Sequence, residues 1–189
     1  MIKLEESKGI ILINDFEVQQ LQIIKEFIEN NPDALTRNNE TAHVTVSAWV
    51  LNPTLDKVLM AYHNIYNSWA WLGGHVDGNH DLAQVAICEA MEETGVKDIH
   101  FLCDDWIAID ILPVQPHIKN NQSVDFHLHF NFTFVLIADD KQQLIPKFDE
   151  NKAVKWIAVN EIDQVVKEKE MLPIYHKLMK RVLKLTNRA

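Results

Sequence analysis

Between Phe16 and Asn31 the apolar side chains Phe16, Leu21, Ile24, Phe27 and Ile28 recur among polar residues at helical spacing, which predicts an amphipathic helix. Asn14 or Asp15 offers a start signal, and Asn30-Asn31-Pro32 a stop. The period then changes. After a polar linker, Thr36 to Glu40, the run His43 to Val50 reads as a strand, Asn52 to Asp56 as a turn, and Lys57 to His63 as the returning strand. Trp69 to Leu72 reads as a short strand feeding a glycine loop. Further strands are expected near 99–113 and over 125–138, the second rich in aromatic and β-branched residues. Between them, Pro113 to Ser123 reads as a long flexible loop of the kind that borders a site. Lys155 to Val159 is expected to be the last strand, and Val159 to Thr186 a helical tail broken at Pro173. Strands, a helix after the glycine loop, more strands and a terminal helix predict an α/β fold with a mixed sheet between helices.

Composition narrows the picture. The 189 residues are 47% hydrophobic and 24% charged, which suits a globular core. A net charge of −9 argues against nucleic acid as a partner, because a phosphate backbone demands a positive face. It leaves room for a small anionic ligand where a bound cation reverses the local sign. Met1 to Glu6 lacks the charged-then-apolar layout of a signal peptide, and no apolar run approaches membrane-spanning length. Cys88 and Cys103 form no C-x-x-C pair or disulfide framework, so a reducing, cytoplasmic setting is expected.

The chemistry concentrates in residues 73–96. Gly73-Gly74-His75-Val76-Asp77-Gly78 leads into a helix, Leu82 onward, whose end carries Glu89, Glu92 and Glu93 before Thr94-Gly95. Spacings of three and four put the three carboxylates on one helical face. Ala83, Ile87, Ala90 and Met91 fall opposite and read as the buried side, with Gly95 as the left-handed residue that ends the helix. Such an acidic cluster is either a solvated face or a site for a hard divalent cation, which prefers carboxylate oxygen.

The glycine loop tips that choice. Residues 74–96 resemble the Nudix box, Gly-x5-Glu-x7-Arg-Glu-U-x-Glu-Glu-x-Gly-U with U a bulky aliphatic residue. Gly74, Glu89, Glu92, Glu93, Gly95 and Val96 match, with Ala90 at an aliphatic position. His80 stands where the family has its first glutamate, and Cys88 where it has arginine. The resemblance implies an α/β/α sandwich over residues 42–180, with 1–41 as an N-terminal helical extension and 181–189 as a tail. It implies metal held by Glu89, Glu92, Glu93 and the Gly73 carbonyl, as Mg²⁺ or Mn²⁺. Glu150, six residues before Trp156, matches the position of a further acidic residue, either a metal ligand or the general base, Glu92 and Glu93 being the other catalytic candidates; a solvated turn carboxylate is its plain alternative.

The implied reaction is hydrolysis of a phosphoanhydride in a nucleoside diphosphate linked to another moiety. A homodimer is compatible with the family pattern. The alternative is a weakened Nudix-fold module that senses a nucleotide-like ligand, the reading that His80 and Cys88 keep open. Nine histidines are many for this length. His127 and His129 alternate along one strand face, and with His43, His75 and His80 they form either a second metal site or phosphate-contacting rim, or simply line the cleft; the last is preferred on sequence alone. Trp69, Trp71 and Tyr62 could stack on a nucleobase, though alternating strand aromatics more often belong to a core.

Overall fold

The computed structural model describes residues 13–65, 67–119 and 122–186. The signal-peptide reading of Met1 to Glu6 and the last residues of the 181–189 tail lie outside them. The helix α1, Asp15–Asn30, starts at a reciprocal cap: the Glu17 N–H donates to the Asn14 side chain at 3.0 Å, and the Asn14 N–H to Glu17 Oε2 at 3.1 Å. Such a capping box satisfies two backbone donors left over at a helix start.

The strand β1, Ala42–Leu51, is the centre of the sheet and is buried along its whole length. It pairs antiparallel with β2 (Lys57–His63) and β4 (Leu72–His75), and parallel with β9 (His127–Ala138) from Ala42↔Leu128 to Leu51↔Ile137. β3 (Trp69–Ala70) adds to β2, β5 (Ile99–Phe101) and β6 (Ala108–Val114) to β9, and β10 (Asn151–Ala158) to the far edge of β2. One parallel pair among antiparallel ones makes the sheet mixed, as expected.

Alternation along β1 sends its side chains to two cores. Val44 and Val46 join Leu21 and Ile24 of α1 and Leu82, Val85 and Ala86 of α2 (Leu82–Thr94). Trp49 and Leu51 join Tyr175, Leu178 and Val182 of α4 (Leu172–Thr186) on the opposite face. The short helix α3, Ile162–Val165, contributes Ile162 to that second core. Helices on both faces of a mixed sheet give the α/β/α layering.

Several boundaries differ from expectation, each for a local reason. The strand expected over 99–113 is two, β5 and β6, because Asp104 and Asp105 turn the chain out; the Asp105 side chain accepts from the Trp106 N–H at 2.8 Å. Both pieces stay on β9, through Leu102 N–H to Val135 O at 3.0 Å and Ile107 N–H to Thr133 O at 2.8 Å. The expected loop 113–123 holds the end of β6 and a hairpin of β7 (His117–Lys119) and β8 (Gln122–Val124). β10 begins at Asn151, not Lys155. Pro173 does not break a helix but lies in the first turn of α4, where its missing N–H costs nothing.

Candidate metal and catalytic site

Three pieces of chain meet at the C-terminal end of α2. The first is the β4 turn, in which Gly73 has φ +148° and Gly74 lies against Glu89: a Cβ there would be 2.5–2.8 Å from the Glu89 carboxylate. The second is α2 itself, started by Asp81, whose side chain accepts from the Gln84 N–H at 2.9 Å, and ended by Gly95 at φ 75°. The third is the segment before β10. Ile145 N–H donates to Thr94 O at 2.7 Å, Lys147 N–H to Glu93 O at 3.3 Å, and Asn151 N–H back to Lys147 O at 2.8 Å. These backbone bonds carry Lys147, Glu150 and Asn151 to the glutamates of α2.

The face of α2 that packs is not the expected one. Leu82, Val85, Ala86, Ala90 and Glu93 are buried, while Ala83, Ile87 and Met91 are only partly so. The close approach of the glycine turn draws the glutamate face inward. Glu93 is therefore buried, not exposed alongside Glu92, and both its oxygens are engaged: Gly73 N–H donates to Oε1 at 2.9 Å and the Asn151 amide to Oε2 at 3.0 Å. Burial pushes the Glu93 carboxyl up to about 7 against the pull of those two bonds. Burial, then the neighbouring Glu92 charge, also raises Glu89. Glu92 is exposed and lies 3.8 Å from Lys147 Nζ, which lies 3.3 Å from Glu150. Burial alone would lower the Lys147 ammonium, but the Glu150 and Glu89 carboxylates outweigh it and the net shift is upward.

The donor set suits a hard divalent cation. It offers only oxygen, it holds a lysine ammonium between two of its members, and glycine at position 74 keeps space beside Glu89. No three of these carboxylates bring oxygens within 4.8 Å of one another among the described residues, so a bound ion would draw them inward.

A second cluster forms where β4, β1 and β9 run side by side. Register sets His43 opposite His129 and Thr45 opposite His75. The rings of His43, His75 and His129 are mutually 5.0 Å apart, and each offers a ligand nitrogen within 4.8 Å of the others. His43 is buried; its Nδ1 meets the Asn39 carbonyl at 3.0 Å, and its Nε2 has no hydrogen-bond partner. A buried acceptor left so costs about 1–3 kcal/mol. Burial, then the other histidines, lowers His129 to about 2, so its ring is neutral. Farther along the same face, Asn131 Oδ1 accepts from Thr45 and Ser47 at 3.1 and 2.9 Å.

The sequence reading missed Arg37, assigned to a polar linker. Its guanidinium forms a two-pronged pair with Asp77, with Nε to Oδ1 at 2.9 Å, and feels the charges of Glu89 and Glu150. No signal in the sequence marks a partner forty positions away. Cys88 receives the Gln84 amide at 3.1 Å, and His80 is exposed. Trp69 stands edge-on to Tyr62, ring centroids 5.4 Å apart, and packs on the α4-side core, as does Trp71.

Comparison with known proteins agrees with this architecture. The NUDIX domain model matches residues 41–182, and the chain belongs to the Nudix family. Similar solved structures include a NUDIX-family hydrolase from Clostridium perfringens, with TM-score 0.53 and 20% identity over 74% of this chain and 97% of that one. An Ap4A hydrolase from C. elegans follows, with TM-score 0.55 and 14% identity over 75% and 98%. A dihydroneopterin triphosphate pyrophosphohydrolase from E. coli has TM-score 0.53 and 14% identity over 72% and 94%. At these identities the likeness concerns the fold. No curated protein sequence matches the chain. No helix among the described residues is long and apolar enough to cross a membrane.

Proposed function

We propose that this Nudix protein is a metal-dependent hydrolase that cleaves a phosphoanhydride bond in a small nucleotide-like diphosphate, with Mg²⁺ or Mn²⁺ as cofactor. The observation that carries the reading is the buried Glu93, fixed between Gly73 and Asn151, with Glu89 pressed against Gly74 and Glu92 and Glu150 sharing Lys147. Burying a carboxylate is costly unless the site rewards it. When bound, the cation would neutralise phosphate charge and make water a better nucleophile.

The chain's own groups supply the rest. Gly73 and Asn151 hold Glu93 in a single orientation, which pre-pays the ordering of a ligand. Glu89, Glu92 and Glu93 present oxygens to the cation, with the Gly73 carbonyl a further candidate. Glu150, half-exposed and steered by Lys147, is the general base in this reading, taking a proton from the attacking water. In this reading the phosphate end of the substrate lies against the face beside the glycine turn that carries His75 and His129. A cytoplasmic location fits the two free thiols.

The test is a panel of nucleotide sugars, dinucleotides and damaged nucleotides incubated with either ion. Release of phosphate or nucleoside monophosphate from one member is expected, falling on the order of 10²–10⁴-fold in Glu92→Gln and in Glu93→Gln. Ligands that bind by calorimetry yet remain intact over hours with both ions would overturn hydrolysis in favour of sensing.

A further inference from the structure

The histidine cluster is chemically unlike the carboxylate site. We propose that His43, His75 and His129 form a second metal site, selective for a transition-metal ion of the Zn²⁺ class. Imidazole nitrogen suits such ions, whereas Mg²⁺ prefers oxygen.

The lone pairs can be assigned from their partners. A carbonyl oxygen only accepts, so the contact of His43 Nδ1 with Asn39 O at 3.0 Å places the proton on Nδ1 and leaves Nε2 as a bare donor of electrons. That Nε2 is the buried, unpartnered atom. His127 Nδ1 likewise meets the Asp125 carbonyl at 2.9 Å, which leaves its own Nε2 bare and 3.1 Å from His129 Nε2. His129 therefore donates from Nε2 and keeps Nδ1 for a metal. Ligating histidines almost always give their other N–H to a carbonyl or similar acceptor, which fixes ring and tautomer. Asn39 serves His43 in this way, and His127 serves His129.

Three ligand nitrogens within 4.8 Å of one another are near the right spacing. Tetrahedral zinc with bonds of about 2.0–2.1 Å sets its nitrogens roughly 3.4 Å apart, so small inward movements of the rings would close the set. Three histidines leave a fourth position for water or an anion, the ligand count of catalytic rather than structural zinc. The strands hold the trio without help: His43 and His129 are register partners, and His75 is on the other flank of β1. His75 directly follows Gly73 and Gly74, so one turn of chain would serve both a nitrogen and an oxygen site.

The experiment needs no diphosphate, so it stands or falls apart from the hydrolase reading. Untagged full-length chain, stripped with a chelator, is titrated with Co²⁺ alone and in excess Mg²⁺ while visible absorption is followed. One Co²⁺ per chain is expected to bind despite Mg²⁺, with the intense bands of a four-coordinate ion, and to be displaced by Zn²⁺. His75→Gln and His129→Gln should each weaken it by at least 10–100-fold, the range that even an outer-shell loss costs. Glu89→Gln should leave it unchanged. X-ray absorption of the Zn²⁺-loaded wild type, which requires no variant to fold, should count three imidazoles. An oxygen-only shell, displacement of Co²⁺ by Mg²⁺, or unaltered affinity in both histidine variants would each overturn the site.

Discussion

Two adjacent glycines make different demands on the chain. At Gly74 an added methyl would meet only the far end of the Glu89 side chain, which can swing aside. At Gly73 it would meet the backbone of Val46 and Ser47, which cannot, and φ is +148°. Gly74→Ala is therefore expected to fold with a melting temperature near wild type while activity falls by up to about 10²-fold, the cost of a displaced catalytic group. Gly73→Ala should instead lose roughly 1–3 kcal/mol or more of stability, measured by denaturant unfolding. Equal thermal behaviour of the two variants would contradict this division. The same residues show where sequence stops being informative. Spacing was enough to gather Glu89, Glu92 and Glu93 on one helical face, and the glycine pair announced the turn. The burial of Glu93 was not readable, because it depends on Asn151 arriving from 58 positions away.

Among the elements, α1 and α4 are joined by charge. Arg181 pairs with both oxygens of Glu17, donates to Ile107 O at 2.8 Å, and shares Glu17 with Lys177, which also reaches Asp110 at 2.6 Å. Burial pushes the Glu17 carboxyl up, but Arg181 and Lys177 outweigh it and hold it below its ordinary value. A lowered pKa means that the stabilisation is present above the unfolded value near 4.5 and is lost as pH falls through the folded one. Asp110, raised by burial, works in the opposite sense. Glu17→Gln should cost about 3–5 kcal/mol at pH 7, because it strands a buried guanidinium. Its unfolding free energy should also decline less than that of the wild type below pH 4.5, as chemical denaturation across pH would show. Periodicity revealed α1, β1, β2, α2 and β9 nearly to the residue, since each carries its own pattern. It failed where partners decide. The turn after Phe101, the β7–β8 hairpin and the start of α4 at Leu172 owe their limits to pairing with β9, to each other and to packing against Trp49. The sequence leaves a histidine metal site open among five candidates and prefers simple cleft lining; the closeness of His43, His75 and His129 comes from strand register, which no single strand encodes.

For the molecule as a whole, the NUDIX match begins at residue 41, whereas the first core does not. Leu21 and Ile24 of α1 are buried against Val44, Trp106 and Phe132. Removing residues 1–40 is thus expected to expose that core and yield a chain that aggregates or melts well below full length, checked by solubility and calorimetry; an equally stable fragment would show α1 to be dispensable. The ten-residue parallel pairing of β1 with β9 bears on biosynthesis. Seventy-five residues separate Leu51 from His127, so a ribosome adding about 5–20 residues per second exposes the nascent β1 edge for roughly 4–15 s before its partner emerges. An apolar ribbon waiting that long needs either early pairing with β2 and β4 or a chaperone's protection, which makes translation speed through this interval a determinant of yield.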